Sequence, residues 1–562
     1  MDEDTRNSLR AVTLLYTLDE QDQTKGPEVL AAAQADYGRL IAALYDMGYY
    51  APVIRILLDG QDAATIAPIS PPARVQQAKV EVTPGPRFLF GRARIAPLAP
   101  GTELPEGFAE GQPAEASILR QTTDAAIDGW RAASHARAEV ASQQITARHS
   151  AARLDADIGI DPGPALKFGP LVIKGESAVR EERIRQIAGV RTGKPFDPVQ
   201  LDAVTERLRR TGTFKSVSVT ESAETVNGDQ MPIEVQLVDM APRRFGFGAE
   251  ISSNEGLALT SFWLHRNLLG GAERLRIDGE IGGIGGDSGG MDARLSFRFD
   301  RPGTLNPRSD FYAEAVIEHI DDPHLEQDSL VLETGLTYRP DKRRTFEGGI
   351  GLQTARTTDA FGTRDYTLFT LPFTATYDAR NSTLNATDGW FGKAELTPFA
   401  GVVGVDSGAR LYMDLRGYRS LGDKAVLALR GQLGGVFGPD IDDSPAEMLF
   451  YSGGSNTVRG HPYQSLGVAL PTGDVVGGLS YLGLQSELRV KTGERLSVVG
   501  FYDIGFVGED ALPDGSNGKW HSGAGLGVRY DTGIGPIRLD VAAPVTGNGD
   551  GVQVYIGIGQ AF

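Results

Sequence analysis

The stretch ARLYMDLRGYRSLGDKAVLALRGQL, residues 409–433, decides how the chain must be read. In its first run Leu411, Met413 and Leu415 alternate with Arg410, Tyr412, Asp414 and Arg416. In its second, Ala425, Leu427, Leu429 and Leu433 alternate with Lys424, Arg430 and Gln432. A period of two sends successive side chains to opposite faces, so both runs read as β-strands with one apolar and one polar face. The pattern persists almost unbroken from Arg243 onward. In AGLGVRY (524–530), Ala524, Leu526, Val528 and Tyr530 face away from Gly525, Gly527 and Arg529. The last run, VQVYIGIGQAF (552–562), sets Val552, Val554, Ile556, Ile558 and Phe562 on one face.

Alternation alone fits a soluble sandwich as well as a membrane barrel, and three features favour the barrel. The polar face mixes charges with many of the 71 glycines, as a water-filled lumen crowded by an inserted element requires. Aromatic residues recur near strand ends (Phe262, Trp263, Phe297, Phe299, Trp390, Phe391), as interface girdles do. At roughly 20 residues per strand and loop, residues 242–562 hold about 16 strands. A closed barrel is also the only β structure a bilayer tolerates. The expected fold is therefore a set of α+β modules followed by a 16-stranded antiparallel transmembrane β-barrel.

Residues 1 to about 241 mix helix and strand. Asp36–Met47 carries Leu40, Ile41, Leu44 and Tyr45 at helical spacing before Gly48, and VIRILL (53–58) reads as a strand. Asp197 and Pro198 are the N-cap and first residue of a helix that Gly212 closes. The repeats PGPRFLFGRARI from Pro84 and PGPALKFGPLVI from Pro162, with a relic PRRFGFG from Pro242, divide this half into modules of about 75 to 85 residues. The expected boundaries are 1–86, 87–164, 165–241 and 242–562.

Composition narrows the function. The net charge of −18 argues against nucleic acid. The absence of cysteine leaves no disulfide or zinc framework, and the seven histidines form no metal spacing. MDEDTRNSLR has no apolar h-region, so an exported protein would have lost its signal before this numbering begins. GDSGG (286–290) copies the surroundings of a protease serine but lies in a glycine-rich connection between two alternating strands. GVRTGKP (189–195) has the wrong spacing for a phosphate loop, and no GxSxG occurs. No enzymatic activity, metal or cofactor is expected.

LYDMGYYAPVI (44–54) and RLRRTGTFKSVSV (207–219) resemble the second helix and following strand of POTRA (polypeptide-transport-associated) modules, built as strand, two helices, two strands. VRGH (458–461) resembles the VRGF or VRGY motif of the BamA/TamA superfamily of outer-membrane insertases and two-partner secretion transporters, with His461 in place of the aromatic. TYDARNSTLNATDGW (376–390), GFYDIGFVG (500–508) and YDTGIGPIRLDVAAPV (530–545) are further matches, and Phe562 resembles the terminal signal for barrel insertion. Three modules and SFWLHRNLLGGAERL (261–275) are most similar to the TamA branch.

The resemblance implies that the loop carrying Val458, Arg459, Gly460 and His461 folds back into the lumen, where its arginine meets acidic residues. Alternation nominates the acids. Leu482, Leu484, Leu488 and Val490 face outward, which turns Glu487 and Gln485 inward; Tyr502, Ile504 and Phe506 do the same for Asp503. The bland alternative is a solvated loop cation with no partner. The resemblance further implies an outer-membrane assembly factor with periplasmic POTRA modules. It would have unfolded outer-membrane clients, autotransporters among them, membrane lipid and an inner-membrane-anchored TamB-like partner. A seam between first and last strands, weakened by Gly557 and Gly559, would open toward the bilayer. The rival expectation is a two-partner-secretion pore exporting one dedicated exoprotein.

Overall fold

The computed structural model describes residues 3–20, 25–252, 256–286, 289–514, 516–532, 535–547, 551–558 and 560–562. Two compact units divide the chain. One comprises 1–172, 190–203 and 219–234, the other 173–189, 204–218 and 235–562.

The first unit opens with helices Glu3–Val12, Leu14–Glu20 and Gly26–Asp46. The third reaches ten residues further back than the Asp36 start expected from spacing, because Pro27 is tolerated in a first turn whose N–H groups have no helical acceptor. Asp36 lies inside this helix, fully buried, and its carboxylate accepts from the backbone N–H of Leu14 (2.8 Å) and Leu15 (3.0 Å), which caps the second helix. Leu30, Leu40 and Leu44 pack on Ile56 and Leu58 of a small sheet formed by Val53–Leu58, Gln61–Asp62 and Ala78–Thr83.

The next sheet sets Leu89–Ala96 parallel to Arg153–Asp161, which pairs antiparallel with Glu139–Arg148. One helix covers it, Ala116–Ala132, where the POTRA pattern predicts two. The intervening PLAPGTELPEGFAEGQP (97–113) carries four prolines and three glycines, too many breaks for a helical turn to propagate. Residues 167–239 follow the expected order: strand Lys167–Lys174, helices Glu181–Ala188 and Pro198–Arg210, strands Phe214–Glu221 and Gln230–Asp239. Within the second unit, Arg207 Nε donates to the carbonyls of Ile187 (3.2 Å) and Ala188 (3.1 Å), satisfying acceptors at the end of helix Glu181–Ala188.

The large sheet is antiparallel and runs in sequence order. Its strands are β1 Arg243–Ser252, β2 Gly256–His265, β3 Arg274–Ile284, β4 Ala293–Arg301, β5 Ser309–Asp322, β6 Leu325–Tyr338 and β7 Arg344–Asp359. The eighth, β8, has two pieces, Gly362–Thr370 and Phe373–Asp378, both lying between β7 and β9. They part at Leu371–Pro372, since proline has no N–H for the ladder. There follow β9 Gly389–Val403, β10 Gly408–Leu421, β11 Ala425–Phe437, β12 Ser480–Lys491, β13 Leu496–Gly508, β14 Gly518–Thr532, β15 Gly535–Thr546 and β16 Gln553–Ile558. Among the described residues the sheet thus has sixteen strands, as expected from length. β16 and β1, the last and first strands, lie in contact.

Burial is inverted relative to a soluble protein. Leu526 is 68% exposed and Leu484 52%, while Glu487 and Arg529 on the opposite face are 1% exposed. Only a sheet with apolar solvent outside and a filled interior is stable in that arrangement. No helix among the described residues is long and apolar enough to cross a membrane. The long connection 438–479 carries Met448, Leu449, Phe450, Val468 and Val476, which form a core with Tyr366, Phe399 and Tyr481 at the barrel end away from Arg243. Asp287 and Ser288 of the GDSGG string lie outside the described residues.

Candidate functional site

From the core of the 438–479 connection, residues 452–461 descend onto the inner faces of β12 to β15. Thr457 ties the descent together, accepting from Gly453 N (2.9 Å) and donating to Gly453 O (3.0 Å). Gln485 Nε2 donates to Thr457 O and Arg430 Nη1 to Asn456 O (3.0 Å), so the wall holds the loop backbone before the arginine is reached. At the turn itself Gly460 has φ +95°, and a Cβ there would lie 2.6 Å from the Ala543 carbonyl. On the wall, Gly523 leaves room for the Arg459 carbonyl, which a Cβ would meet at 1.8 Å. We expect Gly523→Ala to lift the loop from the wall and cost about 1–3 kcal/mol. Melting of the detergent-solubilised chain measures this.

Arg459 is fully buried, with all three guanidinium nitrogens engaged. Nε and Nη2 form a two-pronged contact with Asp503 at 2.7 and 2.9 Å, and the Arg459 N–H donates to the same carboxylate at 3.2 Å. Nη1 reaches Glu487 at 2.7 Å and Asp540 at 3.3 Å. The Phe501 ring lies beneath, its centroid 3.6 Å from the guanidinium carbon. Two further arginines close the network. Arg489 Nε donates to Glu487 (2.9 Å), while Arg529 approaches Glu487 at 3.5 Å and pairs with Asp540. Three buried carboxylates therefore face three buried guanidinium groups, the balance that makes such burial tolerable. Burial opposes the Arg459 charge, but Asp503, Glu487 and Asp540 outweigh it and hold the group above its ordinary pKa.

Glu487 and Asp503, nominated by alternation, both touch Arg459. Val458 is buried against Gly505, where a Cβ would come within 2.7 Å of it. His461 fills the aromatic's position as a buried ring, hydrogen-bonded through Nε2 to Ser522 O (3.1 Å) and edge-on to His521 with centroids 5.6 Å apart. Tyr555 of β16 touches the loop directly, its hydroxyl accepting from Gly460 N (3.1 Å) and donating to His461 O (3.3 Å).

Phe562 departs from expectation. It does not continue the outward face of Val552 and Ile556: β16 ends at Ile558, and the ring is buried among Ala386, Tyr418 and Ala428. Arg489 lies 5.7 Å from its centroid and donates to its carbonyl at 3.3 Å. An apolar pocket with a cation at its rim suits an aromatic ring. Gly557 pairs opposite Arg538 on β15, and Gly559 lies outside the described residues. Alternation in IRLDVA also points Asp540 inward, and the polar face that held Arg529 was already evident; neither was nominated as a partner. Phe501 escaped because an inward aromatic breaks the polar-inside rule.

Comparison with known proteins accords with this geometry. The Omp85 superfamily domain matches residues 267–562, and POTRA, a surface antigen variable number repeat, matches 166–238. Outer membrane protein assembly factor BamA of Nitratidesulfovibrio vulgaris is 22% identical over 403 residues, 68% of this chain and 49% of that protein. The chain thus spans about half the length of this curated relative. BamA from Haemophilus ducreyi lacking POTRA domains 1–3 has a TM-score of 0.63 at 17% identity, covering 84% of this chain and 99% of that structure. CdiB from Acinetobacter baumannii gives 0.53 at 13% identity, covering 84% and 90%. With more than half its length matched by the Omp85 domain and a POTRA repeat ahead of it, the chain belongs to the Omp85 superfamily.

Proposed function

We propose that this chain helps insert or translocate β-barrel and autotransporter clients, as the TamA branch of its superfamily does by resemblance. The barrel sits in the outer membrane and the POTRA repeat in the periplasm. In this reading, residues 1–86, 87–164 and 165–241 act as three POTRA modules. An exposed edge strand such as Glu139–Arg148 receives an extended client segment through main-chain hydrogen bonds, which tolerate many sequences. A TamB-like, inner-membrane-anchored protein docks on the first module. Client hairpins then enter the bilayer where β1 and β16 part. Arg459 acts as a latch that keeps the 438–479 connection seated while this occurs, and no bond is made or broken.

The observation that carries the reading is the seam. β16 has six residues, Gln553–Ile558, where its neighbour β15 has twelve, and it is the strand that lies in contact with β1. The second reading, a pore exporting a dedicated exoprotein, draws on the CdiB likeness in fold. A photo-crosslinker at Ile556, outward on β16 and 49% exposed, tests the choice during client biogenesis. Adducts to client strands are expected; adducts to lipid alone sink the insertion mechanism.

A further inference from the structure

The outward surface of the barrel carries a built cavity at its periplasmic rim, remote from the lumenal network. On β4, Arg298 turns inward to Asp300 (3.2 Å), Glu314 (2.8 Å) and Glu347 (3.4 Å), so Phe299 and Arg301 project to the lipid side. Arg301 stands opposite Phe311 of β5, which is outward because its neighbour Tyr312 bonds inward to Glu333. With Leu269, Glu273 and Arg180 these residues line a cavity of about 560 Å³, a size that suits a small ligand.

Its charge is unbalanced. Among the described residues no carboxylate pairs with Arg301, and Arg180 spends only its Nε, on the Gly270 carbonyl at 3.2 Å. Behind them Arg183 is buried, with Nη2 on Pro302 O (2.6 Å) and Nε without a hydrogen-bond partner. The one acid, Glu273, already accepts from Gly271 N at 2.7 Å. Burial first, then the like charges of Arg301 and Arg180, weaken the protonated form of Arg183, and Glu273 opposes them. An anion between the arginines relieves this repulsion. The floor is apolar and continuous with the lipid-facing strands, which a free phosphate would leave unused.

We propose that this cavity binds one anionic glycerophospholipid of the periplasmic leaflet, its phosphodiester between Arg180 and Arg301 and its acyl chains over Leu269, Phe299 and Phe311. The test uses the full chain in detergent micelles doped with phosphatidylglycerol, with bound lipid counted by native mass spectrometry and folding checked by heat-modifiable migration. The wild type should retain one lipid. The double variant R180Q/R301Q should retain it about thirtyfold more weakly, at about 1 kcal/mol per arginine, and R301K should keep most of the binding. Lys342→Gln, an exposed cation of the same rim outside the cavity, should change nothing. Equal retention by a folded double variant would overturn the proposal, as would an equal loss in the Lys342 variant. Displacement by glycerol phosphate at lipid-like concentrations, or equal retention of phosphatidylcholine, would also overturn it, showing respectively a free-phosphate site and unspecific acyl contact.

Discussion

Replacing Arg459 with alanine should lower barrel stability by about 3–5 kcal/mol, the usual consequence of removing one partner from a buried ionic cluster. The loss is unevenly shared. Glu487 keeps Arg489 and Arg529, and Asp540 keeps Arg529, but among the described residues the Asp503 carboxylate is held by Arg459 alone. Alanine therefore strands a carboxylate that is 0% exposed. Neutralising that group should recover part of the loss, so Arg459→Ala with Asp503→Asn should cost less than the sum of the two single changes. Lysine at 459 should not rescue, because a point charge cannot span Asp503, Glu487 and Asp540 as the guanidinium fork does. Heat-modifiable migration and melting in detergent measure stability, and client assembly in cells measures activity. Wild-type behaviour of the alanine variant in both would remove the latch.

Phe562→Ala should cost about 3–5 kcal/mol, the range for deleting a buried aromatic ring. Its pocket of Ala386, Tyr418 and Ala428 cannot collapse onto an alanine without moving three elements of the wall. The effect should spread to the latch, because Arg489 bridges the Phe562 carbonyl and Glu487, and Glu487 in turn holds Arg459. Gln560 adds a second tie, accepting from Arg529 Nε (3.1 Å) and donating to Asn385 (2.9 Å). Faster hydrogen exchange at residues 457–461 in the Phe562→Ala chain is the expected readout. Unchanged protection there, alongside a lower melting temperature, would confine Phe562 to local packing.

How far these residues could be read from sequence follows from the physics of each. A strand in a barrel wall has lipid on one side and polar groups on the other, so a period of two fixes which side chains face the lumen. That one rule placed Glu487 and Asp503 on the lumenal face, and the family resemblance brought the loop to them. Periodicity does not say where a strand stops: VYIGIGQAF keeps alternating in sequence past Ile558, while the Phe562 ring is buried among Ala386, Tyr418 and Ala428. The rule also treats inward positions as polar, which hid Phe501, whose ring faces the arginine as a π donor. In the second module the missing helix was legible, since prolines at 97, 100, 105 and 113 forbid it, but the POTRA resemblance overrode that local signal. The lipid-side cavity could not be read at all. It needs Arg180 and Arg301, far apart in the chain, to meet at one rim.

If clients enter the membrane where β1 and β16 part, a covalent link across these two strands should block them. The chain has no cysteine, so a pair introduced across these strands forms one defined disulfide. With the pair oxidised, client assembly should stop while the barrel stays folded, and reductant should restore it. Assembly at the wild-type rate with the seam fully crosslinked would contradict the account.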